Sequence, residues 1–237
     1  MDLDAICKRA RADLILPTSR GEADLFLWEH SCRVAENARI IAVLPTVSAR
    51  APHSDAAILA ALYHDAGWAV LCRNGELDRL EVHLSPTSAA VCEHAAGLME
   101  RSLVNFVPAA TLEAACEAVR DRIDKETSMI EAQVVAEAES LDEFGLLSLW
   151  LVVRRGALDG RGIQACLDTW RRKQEYQFWR ARLKDAFRFD EVRRLAEKRL
   201  ASLERVMAEL LEQHLCRDLA ALAGVQTADW PLRSGLV

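Results

Sequence analysis

Glycine and proline are scarce, ten and six among 237 residues. An all-β fold needs many turns built on those residues, so their scarcity argues against that class. Long apolar runs are missing too. The most apolar stretch, Phe144–Val153, holds ten residues, against roughly 20 needed to span a bilayer. No membrane is therefore expected. Met1-Asp2-Leu3-Asp4 is acidic and lacks the layout of a signal peptide. The seven cysteines are odd in number and include no Cys-x-x-Cys pair. That pattern predicts reduced, buried thiols in a cytoplasmic protein rather than a disulfide framework or a zinc knuckle. An excess of positive charge is also lacking. The net charge is −6, so a nucleic acid is not an expected partner. A Gly-rich phosphate loop, a Gly-x-Ser-x-Gly elbow and a His-Glu-x-x-His pair are all absent.

What is present is 51% hydrophobic and 28% charged residues. This balance excludes disorder and low complexity and predicts an all-α protein with a real core. Helices are expected over about 2–16, 23–44, 54–71, 86–103, 108–123, 129–155, 163–187 and 190–216. Ser54 or Asp55, Ser85 with Pro86, and Asp190 are the expected N-terminal caps or first-turn residues. The segment after Phe144 is so apolar that it is expected at the centre of the fold. An N-terminal helix and loop over 1–21, one helical domain over 22–216 with its long C-terminal helices packed on the core, and a loosely held tail over 217–237 complete the expected organisation.

One pair of residues is costly enough to need an explanation. His64 and Asp65 sit within Ala-Ala-Leu-Tyr-His-Asp-Ala-Gly-Trp, an apolar helical context. Buried polar groups there must be paired or liganded. Taken alone, the dyad reads more readily as a hydrogen-bonded core histidine than as a metal site. It has companions, however. Trp28-Glu29-His30-Ser31-Cys32-Arg33 lies upstream, with Arg33 one turn after His30. Downstream, Glu139 and Asp142 stand three residues apart on one helical face.

In this order the elements resemble the HD superfamily of metal-dependent phosphohydrolases. His30-x-x-Arg33-Val34 is similar to the first element, His64-Asp65 to the dyad, and Ala138-Glu139-Ser140-Leu141-Asp142 to the last. His83 resembles a histidine that often follows the dyad, and Phe189–Arg199 is similar to a C-terminal helix of bacterial members. The resemblance covers about 22–212. It implies an HD helical bundle and hydrolysis of a phosphate ester of a small metabolite or nucleotide. His30, His64, Asp65 and Glu139 would hold one divalent ion (Mn, Fe, Co, Ni, Zn or Mg). Asp65 and His83 would be catalytic, and Arg33 would bind the substrate phosphate.

The family's late Asp is Glu139 here, and Asp142 is the alternative ligand. Near Arg120–Asp124, where two-metal members carry histidine, there is only Arg122-Ile123-Asp124, so one ion is expected. An acidic residue found one turn after the dyad in some members is Trp68 here. These departures keep a second reading open, a degenerate, inactive HD domain that binds a ligand or partner. Arg33 could equally form a salt bridge with Asp65 or Glu139. The Trp170–Arg182 segment could stack a base, but reads more readily as a basic face with aromatic anchors in the core. The expected partner is a small phosphorylated substrate. A homodimer is left open.

Overall fold

The computed structural model describes residues 2–18, 20–83 and 86–225. The chain divides into two compact units, Met1–Asp142 and Glu143–Val237. This boundary falls inside the segment 22–216. The described residues are overwhelmingly helical, as expected, with one minimal hairpin in which strand β1 (Leu16–Pro17) pairs antiparallel with β2 (Ala23–Asp24).

In the first unit, α1 (Leu3–Leu14) starts where Asp2 accepts a hydrogen bond from the Ala5 amide at 3.1 Å. Its buried Ile6, Ala10 and Leu14 recur at four-residue spacing. Helix α2 (Phe26–Ile41) buries Leu27, His30, Ser31, Val34, Ala38 and Ile41, so the apolar stripe itself carries His30 inward. A single turn, α3 (Pro45–Ser48), follows.

The centre of this unit is α4 (Ser54–Tyr63). Ala56, Ala57, Leu59, Ala60, Ala61, Leu62 and Tyr63 are all buried, so the helix has almost no polar face. It packs against α2, α7 (Ala109–Asp121) and α8 (Ile130–Asp142). Small side chains let three neighbours approach one helix closely. The cap position is His53, not Ser54 or Asp55.

The expected helix over 54–71 breaks at the dyad. Asp65 adopts φ −103° and ψ 7°, the bridge region common at active-site residues. Helix α5 (Ala66–Arg73) then leaves in a new direction and packs on α6 (Ala89–Leu103). Ser88 caps α6, accepting from the Val91 amide at 3.4 Å. Pro86 precedes that helix, and Ser85 lies outside the described residues.

The second unit contains α9 (Leu147–Leu158), α10 (Ile163–Glu175), α11 (Phe178–Asp185), α12 (Asp190–His214) and α13 (Arg217–Ala223). Its apolar start is not the centre of the fold, contrary to expectation. Helix α9 buries only Ser148, while Trp150 and Val153 are exposed. In the first unit the Ala-rich α4 is the central helix.

Gly145, at φ +83°, separates α8 from α9 and ends the helix expected over 129–155. Gln177, at φ 51°, divides the helix expected over 163–187. The basic aromatic segment anchors in the core. Trp179 is buried with its ring 5.1 Å from that of Phe144, and Lys173 lies 4.8 Å from the Phe178 ring. Asp190 stands inside the first turn of α12, and Phe189 holds the cap position. Residues 217–223 of the expected tail are helical, and 226–237 lie outside the described residues.

Cys92 and Cys116 are buried as expected, but Cys7 and Cys216 are exposed. Among the described residues no helix is long and apolar enough to cross a membrane.

Candidate metal centre

The first unit brings the inward face of α2, the α4–α5 break, the end of α7 and the last turn of α8 to one place. His30, His64 and Asp65 meet there, each buried, with one ligand-type atom apiece within 4.8 Å of the others. His30 Nε2 and His64 Nε2 are 3.2 Å apart. They lie 3.4 Å and 3.3 Å from Asp65 Oδ2.

The far nitrogens decide what those near atoms carry. His64 Nδ1 lies 2.7 Å from the Ala61 carbonyl, which can only accept, so Nδ1 bears the proton. His30 Nδ1 donates to Asp142 Oδ2 at 2.7 Å. In the neutral rings both Nε2 atoms therefore present lone pairs, as in metal-ligating histidines oriented by an outer acceptor. Two lone pairs and a carboxylate oxygen aimed at one point repel unless a cation stands among them. Asp65 Oδ2 is buried and makes no aligned hydrogen bond of its own, which a metal would remedy. Nitrogen and carboxylate donors suit a borderline divalent ion.

Without a metal, a proton is the remaining cation. Burial works to depress His30, but the hydrogen bonds and charges of Asp142 and Asp65 prevail and raise its pKa from 6.5 to about 10. A raised folded-state pKa gives stability that is complete below 6.5 and is lost as pH rises toward 10. The urea midpoint of chelator-treated protein is thus expected to fall across that window. A midpoint that stays flat or climbs from pH 6.5 to 10 would contradict it.

Asp65 is opposed by burial, yet the facing His64, His83 and His30 hold it well below the carboxylate range. His83 approaches the same oxygen, with Nε2 2.5 Å from Asp65 Oδ2, but is not among the three clustered ligand atoms. Its backbone has φ 63°, a strained conformation for a non-glycine residue. Its ring packs edge-on against Phe26 and near Trp68.

Two other expected site residues stand one step back. Arg33 makes a bidentate pair with Asp142, Nε to Oδ1 at 2.8 Å and Nη2 to Oδ2 at 3.0 Å. Its partner is thus neither Asp65 nor Glu139. Glu139 is outside the clustered group and is ion-paired to Arg122 Nη1. Asp142 serves as the acceptor that orients His30.

The residue that the sequence reading did not assign to the site is Arg122. Its buried guanidinium reaches Glu139, the His64 carbonyl (Nη2 at 3.2 Å) and Asp65 Oδ1 (Nη2 at 3.2 Å). Burial opposes its charge, but Glu139 and Asp65 outweigh that and raise its pKa further. The available signal was its position where two-metal relatives carry histidine.

A helical bundle with two inward histidines and a dyad aspartate at a helix break offers three converging donors that could hold a metal ion. The family comparison agrees. Residues 27–143 match the model for the HD domain, so this part of the chain is an HD domain, of a family that is generally made of metal-dependent phosphohydrolases. The match encloses His30, His64, Asp65, His83, Arg122, Glu139 and Asp142. No curated protein and no solved structure matches the chain.

Proposed function

We propose that this protein hydrolyses a phosphate ester of a small metabolite or nucleotide, with one divalent ion held by His30, His64 and Asp65. The observation that carries the reading is the convergence of both Nε2 atoms and Asp65 Oδ2, 3.2 to 3.4 Å from one another. Such an ion supplies Lewis acidity toward a phosphoryl oxygen and makes water a stronger acid near neutral pH.

The chain's own residues then divide the remaining work. Asp142 fixes the His30 ring through Nδ1, and Arg33 fixes Asp142. Arg33 uses Nε and Nη2 for this and has a side chain 40% exposed, so Nη1 is the proposed contact for the substrate phosphate. His83 Nε2 is the proposed carrier of the proton exchanged with water or leaving group, since it is an imidazole nitrogen beside Asp65 but outside the three clustered donors. Asp65 Oδ2, beside that nitrogen, stabilises the charged ring. A small anionic substrate needs one such cation and no basic chain, and the net charge and free thiols suit a cytoplasmic enzyme.

A second reading, a domain that binds without turnover, is favoured by one observation. The carboxylate in the family's late ligand position, Glu139, is engaged by Arg122. A screen of phosphomonoesters and nucleotides with Mn, Co or Ni separates the two. Turnover abolished by chelator and by Asp65→Asn is the expected result. Stoichiometric metal with no turnover on any ester would instead select the binding module.

A further inference from the structure

Among the described residues, Arg122 is the one buried cation whose place in the site the proposed mechanism leaves unused. The two oxygens of Asp65 face different ways. Oδ2 meets the imidazole nitrogens, and Oδ1 meets the Arg122 Nη2 at 3.2 Å. The same guanidinium holds Glu139 through Nη1. Its side chain is only 2% exposed, so it cannot serve as a contact for an incoming phosphate.

We propose that Arg122 is a resident cation that takes the position of a second metal ion between Asp65 Oδ1 and Glu139, and so confines the site to a single ion on the Oδ2 side. This rests on the metal reading of His30, His64 and Asp65.

Charge supports it. The carboxylates of Asp65, Glu139 and Asp142 face the guanidiniums of Arg122 and Arg33, which leaves one negative charge with the imidazoles neutral. One divalent ion turns that into one positive charge, suited to an anionic substrate. A second ion would leave three positive charges in a buried pocket, at a steep desolvation cost. Geometry supports it too. A guanidinium presents its donors in a rigid fork that spans two carboxylates, whereas a lysine would offer a single point charge. Arg122 thereby acts as a positioning residue. It turns Asp65 so that Oδ2 faces the histidines, and it keeps Glu139 out of the metal shell.

Cobalt(II) alone is the probe, read by equilibrium dialysis and by its visible spectrum. Wild-type protein is expected to bind one ion per chain, and Arg122→His to bind two, because the freed carboxylates gain a nitrogen ligand. Wild type with one ion and Arg122→His with one ion of unchanged affinity and spectrum would overturn the inference alone. Wild type that takes up none would overturn the metal reading, and this inference with it. Wild type that takes up two would overturn the inference and leave the metal reading standing.

Glu139→Gln keeps the inference testable if Arg122→His does not fold. With Arg122 in place, its cobalt spectrum is expected unchanged in shape, since Glu139 lies outside the clustered donors and acts on the ion only through its charge. A spectrum altered in shape would make Glu139 a ligand and reject the assignment.

Discussion

His64→Ala and Asp65→Asn are each expected to abolish stoichiometric metal binding and, with it, chelator-sensitive phosphatase turnover, while the far-ultraviolet circular dichroism stays helical. Each change removes one of three clustered donors. Losing an outer-shell partner costs roughly 10–100-fold in metal affinity, and losing a donor should cost more. Asp142→Asn supplies the internal scale. It weakens the acceptor on His30 Nδ1 without touching the cluster, so its loss is expected within that 10–100-fold range. The fold should survive because α4 and α5 are built on apolar packing, and the dyad lies at the break between them. Asp65→Asn is nearly isosteric and creates no cavity. Metal retained at wild-type affinity in both dyad variants would remove the site proposed here.

Gly67→Ala is expected to destabilise the protein by about 3 kcal/mol or more, the upper end of the cost of overpacking. A Cβ at Gly67 would lie 2.0 Å from the Val91 carbonyl oxygen and 2.9 Å from Val91 Cγ1. The obstacle is backbone of α6, which cannot rotate away. Helix α5 would have to move, and Asp65 two residues earlier would move with it. Metal affinity should therefore fall along with the urea midpoint. Gly97→Ala is the matched control in the same helix pair. Its Cβ would meet only the flexible end of Arg101, at 3.2 Å. Removing a helix-interior glycine should be neutral or gain up to about 1 kcal/mol. Equal midpoints for the two variants would show that the α5–α6 approach is not as tight as described.

Several parts of this molecule were readable before any coordinates. Helical class followed from scarce glycine and proline. His64 and Asp65 could be singled out because they are polar in an otherwise apolar helical segment, and His30 because its place ahead of the dyad resembles the family's first element. In the fold His30 falls on the buried stripe of α2, and the dyad follows the almost wholly buried α4. Burying such groups without partners is costly, so their partners had to exist. Arg33 was visible as a cation near His30, but its partner was not.

Tertiary structure decided the rest. A helix repeats its faces every 3.6 residues, so the sequence constrains which side of α7 or α8 a residue occupies but not which neighbouring helix that side meets. Asp142 and Glu139 stand three residues apart, and the resemblance pointed to Glu139 as the ligand with Asp142 as its alternative. In the fold one turns to His30 and Arg33, the other to Arg122. Local propensity favoured continuous helices over 54–71 and 129–155. The site interrupts the first at Asp65, and a left-handed glycine the second. Hydropathy placed 144–153 at the centre, yet Leu146, Leu147, Trp150 and Val153 are exposed, whereas α4 with its small side chains packs against three helices of its own unit. Which residues needed partners was written in the sequence as local polarity against an apolar pattern. Which partners they found depended on contacts as far as 112 positions apart, which no local pattern encodes.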